Sequence, residues 1–230
     1  MDSTNSSTND DTKKKGKFIV FEGLDRLENE NKMTFSNFVG KIDSVEIASR
    51  ALEEEKCGSP PFVFPKETPT GQIIAKYLKM QTDMTNETIH LLFSANRWEL
   101  MGEIKSLLAK GVWVVCDRYA YSGVAYSAGA LKLSKAWCMN PDQGLIKPDV
   151  VFYLNVPPNY AQNRSEYGEE IYEKVEVQKR IYETYKNFSQ EDYWINLDGT
   201  KNIDDIHQDV VNEITKLDPV REELFTFLWS

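Results

Sequence analysis

The chain has 230 residues, 41% of them apolar, enough for one substantial α/β domain or at most two small ones. Acidic residues outnumber basic ones by 36 to 27, a formal charge of −9, so the molecule's field repels phosphate backbones and anionic lipid. That disfavours a nucleic-acid coat or a membrane-surface protein, and it requires any anionic ligand to be held by a local cluster of Arg and Lys.

Residues 1–16 are mostly Ser, Thr, Asn and Asp, ending in Lys13-Lys14-Lys15. Such a tract cannot bury enough surface to offset its ordering entropy and reads as a disordered polar tail, its lysines a solvated run or a weak nuclear signal. From Lys17 onward, short apolar runs alternate with longer helix-period segments. The runs are Phe18 to Phe21, Phe62 to Phe64, Val112 to Cys116, Val150 to Val156 and Tyr193 to Leu197. They are β-branched or aromatic and nearly continuous, as strands buried on both faces are. Helical segments are expected at 72–80, 86–110, within 119–139, at 158–188 and at 203–216. The rhythm predicts an α/β fold, a three-layer parallel sheet with helices on both faces, with 17–230 forming a single domain.

Three cysteines, Cys57, Cys116 and Cys138, form no CxxC pair, and His90 and His207 complete a poor zinc-ligand set, so free thiols in a reducing compartment are expected. No stretch approaches the roughly 18 apolar residues of a membrane span, and the first residues carry no apolar signal core. The expected location is the cytoplasm, with the nucleus as the alternative.

Parallel sheets of this kind bind ligands beyond the carboxyl ends of their strands. The residues gathered there are Glu22-Gly23-Leu24-Asp25-Arg26, Pro65-Lys66-Glu67-Thr68 and Asp117-Arg118-Tyr119. Two of these sets pair an acid with an arginine, which suits a metal-bridged phosphate: the carboxylate takes Mg²⁺ or its waters, and the guanidinium grips phosphate oxygens. On the 86–110 helix, Phe93 and Arg97 are four apart and share a face, an aromatic plate beside a bidentate donor. A core phenylalanine with a rim arginine is the plainer reading of that pair.

Beyond this point the sequence has longer motifs. LLFSANRWE from Leu91 to Glu99, VCDRYAYSGVAYSAG from Val115 to Gly129, Trp137-Cys138, and NPDQGLIKPDVVFYL from Asn140 to Leu154 closely resemble thymidylate kinases of the eukaryotic and poxviral type. FIVFEGLDR from Phe18 to Arg26 and YGEEIYEKVEVQ from Tyr167 to Gln178 fit as well. The resemblance implies a P-loop nucleoside monophosphate kinase-like fold with a lid at about 160–172, and transfer of the ATP γ-phosphoryl group to dTMP with Mg²⁺, in a homodimer. By position, it implies that thymine stacks on Phe93 and meets Arg97, and that Asp117 sits near Mg²⁺. Arg118 takes the dTMP phosphate, and Ser122, Gly123 and Tyr126 line the base and sugar pocket. Tyr172 and Gln178 cover the nucleotide, Asp25 contacts the sugar 3′-hydroxyl, Arg26 is aimed at the ATP phosphates, and Arg164 falls at a lid position where the family often has an arginine.

The phosphate loop departs from that pattern. Gly-x-x-x-x-Gly-Lys-Ser/Thr uses glycines to let backbone N–H groups cradle phosphates, with the lysine on the β- and γ-oxygens and the hydroxyl on Mg²⁺. Counted from Gly23, the second glycine is Glu28, the lysine Asn29 and the hydroxyl Glu30; a three-residue insertion restores Lys32 and leaves Thr34 one position late. After Phe64-Pro65 the family's arginine is replaced by Lys66, a point charge in place of a fork. Three explanations stand: ATP is bound in an altered way by Gly23, Arg26, Lys32 and Thr34; the protein is an impaired pseudokinase that binds dTMP without efficient turnover; or residues 27 to 60 reflect a mis-assembled reading frame. A change of acceptor, to dUMP for example, is a further reading.

Overall fold

The computed structural model describes residues 15–24, 62–158, 175–217 and 225–230. The expectations about the 1–16 tail (residues 1–14), the loop from Asp25 to Thr34 and the 160–172 lid fall outside those residues.

The apolar runs become strands β1 (Phe18–Gly23), β2 (Phe62–Val63), β3 (Val114–Asp117), β4 (Val150–Asn155) and β5 (Trp194–Asp198). They form one five-stranded sheet, every pairing parallel, in the order β2-β3-β1-β4-β5. β1 is buried along its whole length, which is why its sequence lacks the polar alternation of a half-exposed strand. The chain leaves β1 for the β2 edge, returns through β3 on one side of β1, and crosses to β4 on the other. This reversal opens the crevice at the carboxyl end of β1, where Glu22 and Gly23 lie across from Tyr153 and Leu154.

Alternate residues of β1 feed two cores. Phe18 and Val20 pack with Leu100, Ile104, Tyr121, Val124, Ile181 and Tyr185 on one face, whereas Ile19 and Phe21 pack with Phe152, Leu197, Ile206, Val210 and Ile214 on the other. The helices are α1 (Pro69–Leu78), α2 (Asn86–Ala109), α3 (Ala120–Gly129), α4 (Lys135–Met139), α5 (Val175–Lys186) and α6 (Ile203–Ile214). Thr68, Thr85, Ser134 and Asn202 cap α1, α2, α4 and α6 by accepting from backbone N–H groups of the first turn. Within the expected 119–139 segment the helix breaks after Gly129, Lys132 takes a positive φ, and a new helix starts behind Ser134.

The carboxyl-terminal residues strap down the loop before β4. The Gly144 N–H donates to the Leu228 carbonyl at 3.0 Å and the Leu228 N–H to the Leu145 carbonyl at 2.8 Å. Leu228 is buried, and the Trp229 ring stacks on Phe188.

Candidate active site

The end of β3 delivers Asp117, buried, followed at once by Arg118. Arg118 is held at φ +63°, a left-handed conformation that costs an ordinary side chain about 1–2 kcal/mol. Its N–H donates to the Phe21 carbonyl of β1 at 2.9 Å, fixing the turn against the central strand. The guanidinium reaches along α3: Nη1 donates to Ser122 Oγ at 3.0 Å, and the guanidinium carbon lies 5.2 Å from the Tyr126 ring centroid. Arg118, Ser122 and Tyr126 follow i, i+4, i+8 spacing and so converge on one side of the helix start. All three are partly exposed, as a ligand-facing group must be.

Glu22 stands in the sequence only as the first residue of a strand-end group, and sequence reasoning gave it no role of its own. The Tyr119 N-cap makes no side-chain cap bond of its own; the Glu22 carboxylate, fully buried on the neighbouring strand, caps α3 instead. Its Oε1 accepts from the Tyr119 N–H at 2.9 Å and the Ser122 N–H at 3.2 Å, and its Oε2 accepts from Ser122 Oγ at 2.5 Å and Tyr185 Oη at 3.0 Å. An anion at a helix N-terminus is also favoured by the helix dipole. Burial nevertheless pushes this carboxyl above its ordinary pKa, against the opposing pull of Arg118, Ser122, Tyr119 and Tyr185. The available signal was a charged residue directly after a continuous apolar run, which has to be paired if the buried strand extends over it.

Arg97 is placed differently from expectation. It is 2% exposed and forms a buried ion pair with Asp142, which is 0% exposed, Nε to Oδ1 at 3.1 Å and Nη2 to Oδ2 at 2.5 Å. Ser94 Oγ donates to the same carboxylate at 2.6 Å. The Nε–Nη2 fork is therefore spent on Asp142, which leaves the two Nη1 N–H groups and the second Nη2 N–H outside that pair. Gly123 serves that arrangement: a Cβ there would lie 2.8 Å from Arg97 Nη2 and 3.1 Å from Nη1. Phe93, four residues before Arg97 on α2, is partly exposed and can present a ring face.

His90, one turn earlier, braces the same region. Its Nε2 lies 3.0 Å from the Cys138 carbonyl, which can only accept, so Nε2 carries the proton and Nδ1 accepts from Ser127 Oγ at 2.8 Å. Burial first, then the Arg97 charge, lowers its pKa. The Cys116 and Cys138 thiols are free, buried and pushed upward, Cys138 to about 11, so neither is a nucleophile at neutral pH.

Lys66 stands on a loop pinned by the buried Asn96. The Lys66 N–H donates to Asn96 Oδ1 at 2.8 Å, while Asn96 Nδ2 donates to the Lys66 carbonyl at 3.2 Å and to Thr68 Oγ1 at 2.7 Å. The Lys66 ammonium lies 5.4 Å from the Phe62 ring centroid. Gln178 is buried on the first turns of α5. Gly23 ends β1; Asp25, Arg26, Lys32, Thr34, Arg164 and Tyr172 are outside the described residues. Thus Asp117, Arg118, Ser122 and Tyr126 converge with Glu22 at the ends of β1 and β3, and Arg97 and Gly123 meet behind them.

A match of residues 39–210 to the Thymidylate kinase family model decides the family of a chain with this sheet and this crevice. The chain belongs to the thymidylate kinase family. It is 66% identical to the thymidylate kinase of Plasmodium falciparum (isolate 3D7) over 221 residues, 96% of this chain and 99% of that one. It is 35% identical to the Homo sapiens thymidylate kinase over 204 residues, 86% of this chain and 89% of the relative. The solved Candida albicans thymidylate kinase, described as revealing the origin of broad substrate specificity, superposes with a TM-score of 0.75 at 28% identity, covering 93% of this chain and 98% of that one. A thymidylate kinase is a phosphotransferase with a P-loop nucleoside monophosphate kinase-like α/β fold, and none of these relatives supports the pseudokinase alternative. The described residues contain no helix long and apolar enough to cross a membrane.

Proposed function

We infer that the protein transfers the γ-phosphoryl group of ATP to dTMP, giving dTDP for dTTP synthesis. The observation that carries this reading is the convergence of Arg118, Ser122 and Tyr126 beyond Asp117, in a chain 66% identical to a thymidylate kinase. Phe93 offers the ring for thymine, the Nη1 corner of Arg97 meets the base edge, and Tyr126 and Gln178 close the sugar side. Arg118 takes the acceptor phosphate, with Lys66 as a second cation. Asp25, Arg26, Lys32, Thr34, Arg164 and Tyr172 complete the proposed site, with Gly23, Arg26, Lys32 and Thr34 on ATP.

The acceptor is already an anionic phosphate oxygen, so no strong general base is required. In-line positioning and neutralisation of the transferred group's charge carry the rate. Mg²⁺ fits the donor set. No cluster of three or more His, Cys, Asp or Glu is found among the described residues, and a single strand-end carboxylate, Asp117, suits an ion held mainly by substrate phosphates and water. When bound, the ion would neutralise developing phosphate charge.

We further propose a homodimer and a cytoplasmic location. Support for the first is the pair of exposed apolar side chains Leu91 and Trp98, two turns apart on one face of α2; support for the second is the free buried thiols. Residues 17–230 are taken as one domain with its lid at about 160–172. A coupled assay with MgATP and either dTMP or dUMP tests the reaction. We expect dTDP, with dTMP the better acceptor; dTMP binding without dTDP formation would refute it. Lys32→Ala should reduce the rate, and an unchanged rate would remove Lys32 from the ATP site.

A further inference from the structure

We propose that Glu22 is a positioning residue for phosphate binding, setting the Arg118 guanidinium through Ser122. This rests on the reading of Arg118 as the acceptor-phosphate ligand. The Ser122 hydroxyl has one proton and two lone pairs. Its proton goes to Glu22 Oε2 at 2.5 Å, which leaves an oxygen lone pair for Arg118 Nη1 at 3.0 Å. Glu22 thereby decides which way the serine points, and the serine decides where the guanidinium stops.

The carboxylate does more than cap a helix. Capping uses Oε1 alone, toward the Tyr119 and Ser122 N–H groups. Oε2 adds the Ser122 hydroxyl and the Tyr185 hydroxyl, and Tyr185 Oη also lies 2.8 Å from Ser122 Oγ. One buried oxygen thus ties β1, the start of α3 and the body of α5, the helix that follows residues 159–174. Tyr185 is itself fully buried and packs on Tyr153 at 5.0 Å, so this corner has little room to rearrange. Four donors converge on one carboxylate, and a neutral amide cannot accept from all of them.

Glu22→Gln keeps the size and lets Oε1 go on capping α3, but places a donating Nε2 where Oε2 accepted. The amide then competes with Arg118 Nη1 for the Ser122 lone pairs, and the Ser122 or Tyr185 proton loses its acceptor. Binding of dTMP and of thymidine to the full chain, measured by ligand-detected NMR titration, separates the possible roles. We expect dTMP affinity to fall about tenfold or more, the scale of a hydrogen bond to a charged group, while thymidine, which has no phosphate, binds as before. Unchanged dTMP affinity overturns the proposal. Tighter dTMP binding also overturns it, since Glu22 would then only offset the Arg118 charge. Equal losses for both ligands reduce Glu22 to a structural cap and overturn it too. Wild-type protein that binds no dTMP would instead overturn the reading of the site itself. Ser122→Ala, which keeps the Glu22 cap but alters the lining of the base and sugar pocket, should cost dTMP clearly more than thymidine, and Ser122→Thr should restore the dTMP affinity; failure of that pair overturns the proposal even where Glu22→Gln does not fold.

Discussion

Arg97 and Asp142, forty-five positions apart, are joined by two hydrogen bonds in a place with almost no access to water. Removing one partner of such a pair leaves an uncompensated buried charge, at a cost of about 3–5 kcal/mol, whereas replacing both by apolar groups is often close to neutral. Asp142→Ala should therefore lose about that much stability in urea unfolding, and the double variant Arg97→Met, Asp142→Leu should recover most of it. The double variant should still bind thymine-containing ligands poorly, because the Nη1 corner has gone. A loss below about 1 kcal/mol for Asp142→Ala would mean that the pair is solvated and only loosely coupled.

Gly123 offers a second test of the same arrangement. In an exposed helix interior, glycine to alanine gains about 0.5–1 kcal/mol. Here the added Cβ would stand 2.8 Å from Arg97 Nη2, and the guanidinium cannot swing away without breaking its bonds to Asp142. Gly123→Ala should be destabilising by about 1–3 kcal/mol, the range of overpacked sites, and should weaken dTMP more than ATP. A gain in melting temperature with unaltered dTMP binding would show that Arg97 is not confined by α3.

Arg118 carries backbone strain at the point where the proposed site uses a guanidinium. Arg118→Ala and Arg118→Gly both remove the side chain, but only glycine is at ease at φ +63°. Avoiding a steric cost of about 1–2 kcal/mol, less the glycine's extra unfolded-state entropy of about 0.4–1 kcal/mol, should leave the glycine variant about 0.5–1 kcal/mol more stable than the alanine variant. Both should lose about 10²- to 10³-fold in turnover, the effect of removing one preorganised donor. Equal stabilities would mean that the turn relaxes once the side chain is gone.

These residues also show how far the sequence could be read. Continuous apolar runs exposed the five strands because a strand covered on both faces has no polar side to display, and the acid-arginine pair Asp117-Arg118 was visible because it directly follows one. Long-range polar pairings were not visible. Glu22 meets Tyr119 and Ser122 from about a hundred positions away, Asn96 holds the Lys66 loop from thirty, and Asp142 was no more than part of a motif until Arg97 was found beside it. Arg97 was read as a free bidentate donor, and its fork is instead paired with Asp142, because a face shared with Phe93 does not reveal a counter-ion on another element. The break between α3 and α4 is marked in sequence only by Gly129 at its start and the Ser134 cap at its end, while the positive φ falls on Lys132, a residue type that gives no turn signal.

His90 gives the site region a dependence on pH that can be isolated. Burial holds its folded-state pKa below the ordinary 6.5, with Arg97 adding to the effect and the Cys138 and Gly123 backbone and Asp142 opposing it; Ser127 Oγ and the Trp137 ring, 5.3 Å away, complete its surroundings. The unfolded chain therefore binds the proton more readily than the folded one between the depressed folded pKa and 6.5, and stability rises with pH across that window. The contribution is fully present above about 6.5 and is lost as pH falls toward the folded value, by at most about 1.4 kcal/mol per pH unit. Glu22 acts in the other direction, since its folded pKa is raised above 4.5, so the overall curve mixes the two. His90→Gln, which keeps an amide donor for the Cys138 carbonyl and removes the titration, separates them. Between pH 7.5 and 5.5 the wild-type protein should lose more stability than the variant, and parallel curves would show that His90 accepts its proton in place.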